Sequence, residues 1–278
     1  MTTTDPRVAS AGVVPARRRT ELPSWVLGLI GLVVFAGLLE LLPRTGVVSD
    51  RFFPPFSTMI GALVDEAGTQ AFWTATGETL KGWGLGLLIA LVAGIVLGLV
   101  IGGNDLVRRF TSSTIEFLRP VPSVALIPLA VLVFGLGLES TLLLVVYAAF
   151  WQVLIQVIYG VQDVDPVALE TARSYQLGRW ARLRYLVWPT ALPYVMTGLR
   201  LAAAVSLILA ITAELIIGSP GLGHEIALAQ SSNAVPTVYA LVIFTGLLGV
   251  LVNVLARALE RRILSWHSSL RADAAGAA

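Results

Sequence analysis

Six stretches of this chain are predominantly apolar, and most of the charged residues gather between them. They run from Trp25 to about Leu42, Leu80 to Ile101, Thr111 to Leu136, Thr141 to Val161, Tyr194 to Ile217 and Pro236 to Leu259. Each approaches the roughly 20 residues that a helix needs to cross the hydrocarbon core of a bilayer. In lipid a segment must satisfy its own backbone N–H and C=O groups, so each stretch is expected to be helical. The pattern predicts an all-α, polytopic membrane protein of about six transmembrane helices. The third stretch is interrupted by Arg119-Pro120-Val121-Pro122-Ser123, with Pro128 following. Proline removes a helix donor and clashes with the preceding turn, so the helix must kink or break there. Such a break either packs between helices or lines a wet cavity that satisfies the freed carbonyls.

The polar stretches predict three smaller features. Pro54-Pro55 opens a segment from Ser57 to Ala71 with Met59, Ile60, Leu63 and Val64 at helical spacing. A short interfacial helix with Ser57 as its N-cap is expected there. In the loop of residues 162–193, Asp163, Asp165 and Pro166 are helix-start residues ahead of Glu170 to Gln176. Gly178 makes a corner, and a second helix from Arg179 to Val187 should stop before Pro189, because the residue preceding a proline disfavours the helical region. This hairpin reads either as an ordinary basic cytoplasmic loop or, as its proline-bounded form favours, as a handle for a soluble partner. Within the second span, Gly94, Gly98 and Gly102 share one helix face. They allow close backbone approach, either to another helix of the chain or across a dimer.

Composition narrows the class. At 56% hydrophobic and 13% charged, with a mean hydropathy of +0.82, the chain is too apolar for an ordinary soluble domain. Its basic residues are unevenly placed. Arg7, Arg17, Arg18, Arg19, Arg108, Arg109, Arg173, Arg179, Arg182, Arg184, Arg257, Arg261, Arg262 and Arg271 fall on one side of the predicted spans, against Arg44, Arg51 and Lys81 on the other. The positive-inside rule then puts both termini and the Glu170 loop in the cytoplasm. The pI near 9.2 reflects this topology and does not imply nucleic acid. A disordered cytoplasmic tail at 1–24 and a cytoplasmic tail at 268–278 are expected to flank a membrane domain at 25–267.

Few residues can carry chemistry. The chain has no cysteine, which excludes disulfides and thiolate catalysis. His224 and His267 fall on opposite membrane faces, so no paired-histidine metal site is expected; His267, beside Trp266, reads as an interfacial anchor. No Gly-x-Ser-x-Gly element occurs, so an enzyme is not expected. The glycine-rich run from Gly218 to Glu225 lacks the Gly-Lys-Ser/Thr ending of a phosphate cradle. Glu116, Arg119, Glu139, Arg200 and Glu214 lie in or beside spans, where a charge must face the bundle interior or water. Glu116 and Arg119 are spaced to pair, and Arg200 to snorkel. Arg119, beside the break, could instead guide an anion. Glu214 could bond a neighbouring helix or help a gate.

The run Glu170-Thr171-Ala172-Arg173-Ser174-Tyr175, followed by Leu186-Val187-Trp188-Pro189 and Ala191-Leu192-Pro193, resembles the EAA loop of bacterial ABC-transporter permeases. Further runs look like the permeases for taurine, alkanesulfonates and nitrate. They are Phe117 to Ser123, Ile127-Pro128-Leu129, Phe134 to Glu139, Val164-Asp165-Pro166, Ala213-Glu214 and Gly221-Leu222-Gly223. The resemblance covers about Thr79 to His267. It implies a type I ABC importer permease fold in a bacterial inner membrane, with both the EAA loop and a translocation pathway for a sulfonate-, taurine- or nitrate-like anion.

The implied partners are a second permease copy, two cytoplasmic ATPase subunits that bind the ATP and Mg, and an extracellular or periplasmic solute-binding protein or lipoprotein. No cofactor is implied in this chain itself. Glu170, Thr171, Ala172, Arg173, Ser174, Gln176, Gly178 and Pro189 would form the ATPase-coupling set. Arg119, Pro120, Pro122, Glu139 and Glu214 would line the pathway, and Gly221, Gly223 and His224 would meet the binding protein. The family usually has glycine six residues after the loop glutamate, where this chain has Gln176, so Gly178 is expected to supply the bend. The alternatives are an ion-coupled secondary transporter, which commonly has more helices or a repeat, and an energy-coupling-factor transmembrane subunit.

Overall fold

The computed structural model describes residues 23–265. The 268–278 tail, the His267 anchor and nearly all of the 1–24 tail lie outside the described residues. Among the described residues, five helices are long and apolar enough to span a membrane, and a sixth candidate is a bent pair.

Helix α1 (Ser24–Arg44) is apolar on all sides and contacts the remainder of the described chain mainly through α2 (Phe56–Ala67). Ser57 is not the N-cap of α2. Pro55 holds that position, which leaves Ser57 in the first turn with an N–H that has no intrahelical acceptor. Glu40 of α1 supplies the missing acceptor. Its carboxylate takes the Ser57 N–H at 2.8 Å and the Ser57 hydroxyl at 3.0 Å, and it also pairs with Arg44.

Helix α3 (Gln70–Gly102) begins ten residues ahead of the apolar run at Leu80. Its first turns are amphipathic: Phe72, Ala75, Thr76 and Thr79 are buried while polar neighbours stay exposed, which hides the helix from a hydropathy reading. Helix α6 (Leu138–Gln162) runs between α3 and α9 (Trp188–Ile217). The glycine stripe of α3 faces α6. A Cβ on Gly94, Gly98 or Gly102 would stand 2.8, 2.6 or 2.9 Å from the Cβ of Val153, Val157 or Val161. The stripe is therefore packing within the chain, not a face for a second copy. On its other side, α6 brings Gly160 against Ala191 and Tyr194. Helix α10 (Leu222–Ser231) crosses one end of this core, and α11 (Val235–Ile263) packs against α9, α10 and α2.

The third apolar stretch is two helices, α4 (Asp105–Leu118) and α5 (Ile127–Phe134), joined through a 3₁₀ turn and bent by 84°. Helix α4 starts at Asp105 and not Thr111, because the Asn104 side chain caps the N–H groups of Leu106 and Val107. At the break the Leu118 carbonyl loses its helical donor, and the Tyr147 hydroxyl of α6 donates to it at 2.6 Å.

The loop of residues 162–193 holds α7 (Pro166–Ser174) and α8 (Arg179–Arg182). The expected stop before Pro189 does not occur, and Arg179 to Ile217 is one continuous helix of 39 residues. A π-helical turn at Leu183–Val187 accommodates the proline: the Trp188 N–H reaches the Leu183 carbonyl five residues back. This widening opens the hydrogen-bond ladder ahead of the Pro189 ring, which would otherwise collide with the preceding turn.

Candidate functional site

Three groups of predicted site residues fall in three separate places. The first is the hairpin. Pro166 opens α7, and Asp165 caps it by accepting the Val167 N–H at 2.9 Å, as the spacing predicted. Helix α7 closes with two reverse hydrogen bonds, from Leu177 N–H to the Ala172 carbonyl at 2.9 Å and from Gln176 N–H to the Arg173 carbonyl at 2.8 Å. That closure requires a left-handed residue at its corner, and Gln176 takes it with φ of +55°. Gly178 does not supply the bend. Its φ is −61°, and open space surrounds the position of a Cβ there. A side chain in the left-handed region costs roughly 1 kcal/mol, which glycine avoids. Replacing Gln176 by glycine should therefore stabilise the purified protein by ~0.5 kcal/mol after the entropy glycine adds to the unfolded chain. Gly178→Ala should be tolerated. Thermal unfolding checks both, and a lower Tm for Gln176→Gly would contradict the assignment.

The outer surface of the hairpin is unusually apolar for a basic loop. Val167, Tyr175, Trp180 and Tyr185 are 72%, 79%, 77% and 70% exposed. Glu170, Thr171, Arg173 and Ser174 share this open surface, whereas Ala172 is half-buried toward the chain. Glu170 pairs with Arg173 one turn along, an exposed contact worth little by itself, so its carboxylate is free to exchange partners. At the root of the loop, the Tyr194 hydroxyl donates to Asp163 Oδ2 at 2.9 Å and ties the entry of the hairpin to α9.

The second place is a groove of about 570 Å³ between α3, α4 and α6. Arg108, Ser112 and Glu116 line it at four-residue steps along one face of α4, with Arg119, Pro120 and Tyr159 nearby. Arg108 is held by Asp105 at 2.7 Å. Glu116 and Arg119 form no ion pair with each other among the described residues, although their spacing permits one. Both are exposed, and an open pair at that spacing gains only tenths of a kcal/mol. Pro122 and Glu139 are not among the groove residues. Glu139 sits in the first turn of α6, about 24 Å along that helix from the Ile155 that lines the groove. Arg200 meets Glu260 of α11 at 3.4 Å.

The third place is the end of the bundle opposite α7. Glu214 is 2% exposed and faces no open passage in this chain. Its Oε2 accepts from the Thr79 hydroxyl at 2.8 Å and from the Gly223 N–H at 3.0 Å. Gly221 and Gly223 are buried against α9, so within this chain they offer no contact surface to a binding protein; His224 and Glu225 keep partial exposure. Glu214 thus bonds neighbouring elements, one of the two roles expected of it, and its carboxylate is enclosed by them within this chain. Sequence reasoning passed over its partner Thr79, and also Tyr147 at the break. The available signal was a hydroxyl buried inside or beside an apolar run.

Residues 90–265 match the family described as binding-protein-dependent transport system inner membrane component. The chain belongs to that family. It is 33% identical to the taurine transport system permease protein TauC of Escherichia coli (strain K12), over 81% of this chain and 84% of that protein. It is 27% identical to the putative aliphatic sulfonates transport permease protein SsuC of Bacillus subtilis (strain 168), over 92% and 91%. Among solved structures, a bacterial alginate ABC transporter in complex with an alginate-pentasaccharide-bound periplasmic protein matches with a TM-score of 0.61 at 15% identity. That match covers 86% of this chain and 95% of the other, and it shows the fold. The chain is thus a multi-pass ABC importer permease, an inner-membrane transport component. Membership sets aside the ion-coupled transporter and the energy-coupling-factor subunit.

Proposed function

We propose that this permease works as one of two identical copies, moving a small sulfonate-like anion with energy from two cytoplasmic ATPase subunits that bind the ATP and Mg. The observation that carries the reading is the hairpin. It presents Glu170 amid exposed Val167, Tyr175, Trp180 and Tyr185, and its second arm, α8, is itself the start of the long helix from Arg179 to Ile217. A partner that grips α7 and α8 therefore pushes directly on a spanning element. The arginine distribution supports a cytoplasmic hairpin and an outer α10 end, where a solute-binding protein would deliver its cargo.

The groove and the relatives together support an anion as the solute. Arg119 is the groove cation without an ion-pair partner among the described residues, beside a break whose polar groups need water or partners. The curated relatives above carry the names of taurine and aliphatic sulfonate permeases. The decisive experiment is ATP-dependent uptake of taurine or an alkanesulfonate by the reconstituted complex, with and without the double change Glu116→Gln and Arg119→Gln. Removing both charges strands neither, so a scaffold role leaves uptake intact. A pathway role lowers uptake roughly tenfold, equal to ~1.4 kcal/mol. Uptake that survives the double change places the passage away from this groove.

A further inference from the structure

Helix α10 has no cap of its own. Gly221 stands at its N-cap without a side chain, and the first N–H groups of a helix have no partner inside it. Two spanning helices supply what is missing. Thr79 of α3 uses one hydroxyl twice, donating to Glu214 Oε2 at 2.8 Å and accepting from the Leu222 N–H at 2.8 Å. Glu214 of α9 takes the Gly223 N–H. A third tie joins the preceding loop to α6, where the hydroxyls of Ser219 and Thr141 lie 2.8 Å apart.

The fit is close. A Cβ on Gly221 would fall 2.3 Å from the Glu214 Cδ, and one on Gly223 would fall 2.2 Å from the Ile211 carbonyl oxygen. Thr79, Thr141, Glu214 and Ser219 are all buried, yet each has its partner. Apolar packing would hold these helices together without the desolvation cost of a carboxyl and three hydroxyls. What the polar network adds is register. If α10 slides on α3 or α9, buried groups are stranded at once, so one arrangement is selected and intermediate ones are penalised.

We propose that Thr79 and Glu214 are positioning residues for transport. They latch α10 to α3 and α9, so that a displacement of α9 delivered at α7 carries α10 and α3 with it as one body. This rests on α7 being the ATPase docking site. The test compares Thr79→Ser, which keeps the hydroxyl, with Thr79→Val, which keeps the shape and loses both bonds. The readout is solute transported per ATP hydrolysed by the reconstituted complex, alongside the amount of complex assembled.

The serine variant should match the parent. The valine variant should assemble and hydrolyse ATP, with solute moved per ATP lowered roughly tenfold, inside the 5- to 150-fold range of coupling between distant sites. Equal transport per ATP in the two variants overturns the latch. So does a valine variant that fails to assemble while serine succeeds, because the contact would then be a folding element only. If the unmodified complex shows no ATP-driven uptake, the transport reading itself has failed, and the serine–valine comparison is not what failed it.

Discussion

Glu170→Arg should abolish the coupling of ATP hydrolysis to solute while leaving the permease inserted and folded. Glu170 is exposed, and its side chain meets Arg173 of its own chain in a surface pair worth little, so stability is largely spared. At a contact with an ATPase the same change reverses a charge in a partly desolvated site and leaves its partner opposed. Disrupting a charge contact of that kind costs ~2 kcal/mol or more, so solute-stimulated hydrolysis should fall about 30-fold. The measurement is stimulated against basal hydrolysis in the purified complex. Normal stimulation by the variant would remove Glu170 from the docking surface.

Gly98→Leu should prevent accumulation of the folded protein. Even the first added carbon would stand 2.6 Å from the Val157 Cβ and 3.2 Å from the Leu154 carbonyl oxygen, so α3 and α6 would have to separate. That contact is one of the two most extensive helix seams among the described residues, and overpacking there costs ~3 kcal/mol or more. Gly84→Leu is the matched control: it lies on the same helix, where an added Cβ meets nothing within 4 Å. The amount of monodisperse protein extracted from membranes should collapse for the first variant and stay near normal for the second. Equal yields would mean that the glycine stripe is not the seam.

The hairpin shows how far local rules reach. The start at Asp165 and Pro166 was legible because capping is decided within a few residues. The two ends that differed from expectation were decided by neighbours further along. Pro189 does not stop its helix because a π-helical turn absorbs it, and Gln176, not Gly178, takes the left-handed corner because the bonds closing α7 set the position of the corner.

What the sequence determined by itself is the membrane class, the helical spans, the break at Arg119–Pro122 and the hairpin that begins at Asp165 and Pro166. These follow from hydropathy, proline and capping, all of which act over one or two turns of chain. Only the tertiary structure decided which helix the Gly94–Gly102 stripe meets, that Glu116 and Arg119 stay apart, and that Glu214 serves a latch built with Thr79. Those partners are separated in sequence by as many as 135 residues. Periodicity says which face of a helix is small or polar, but the identity of the group across from it depends on how the helices pack.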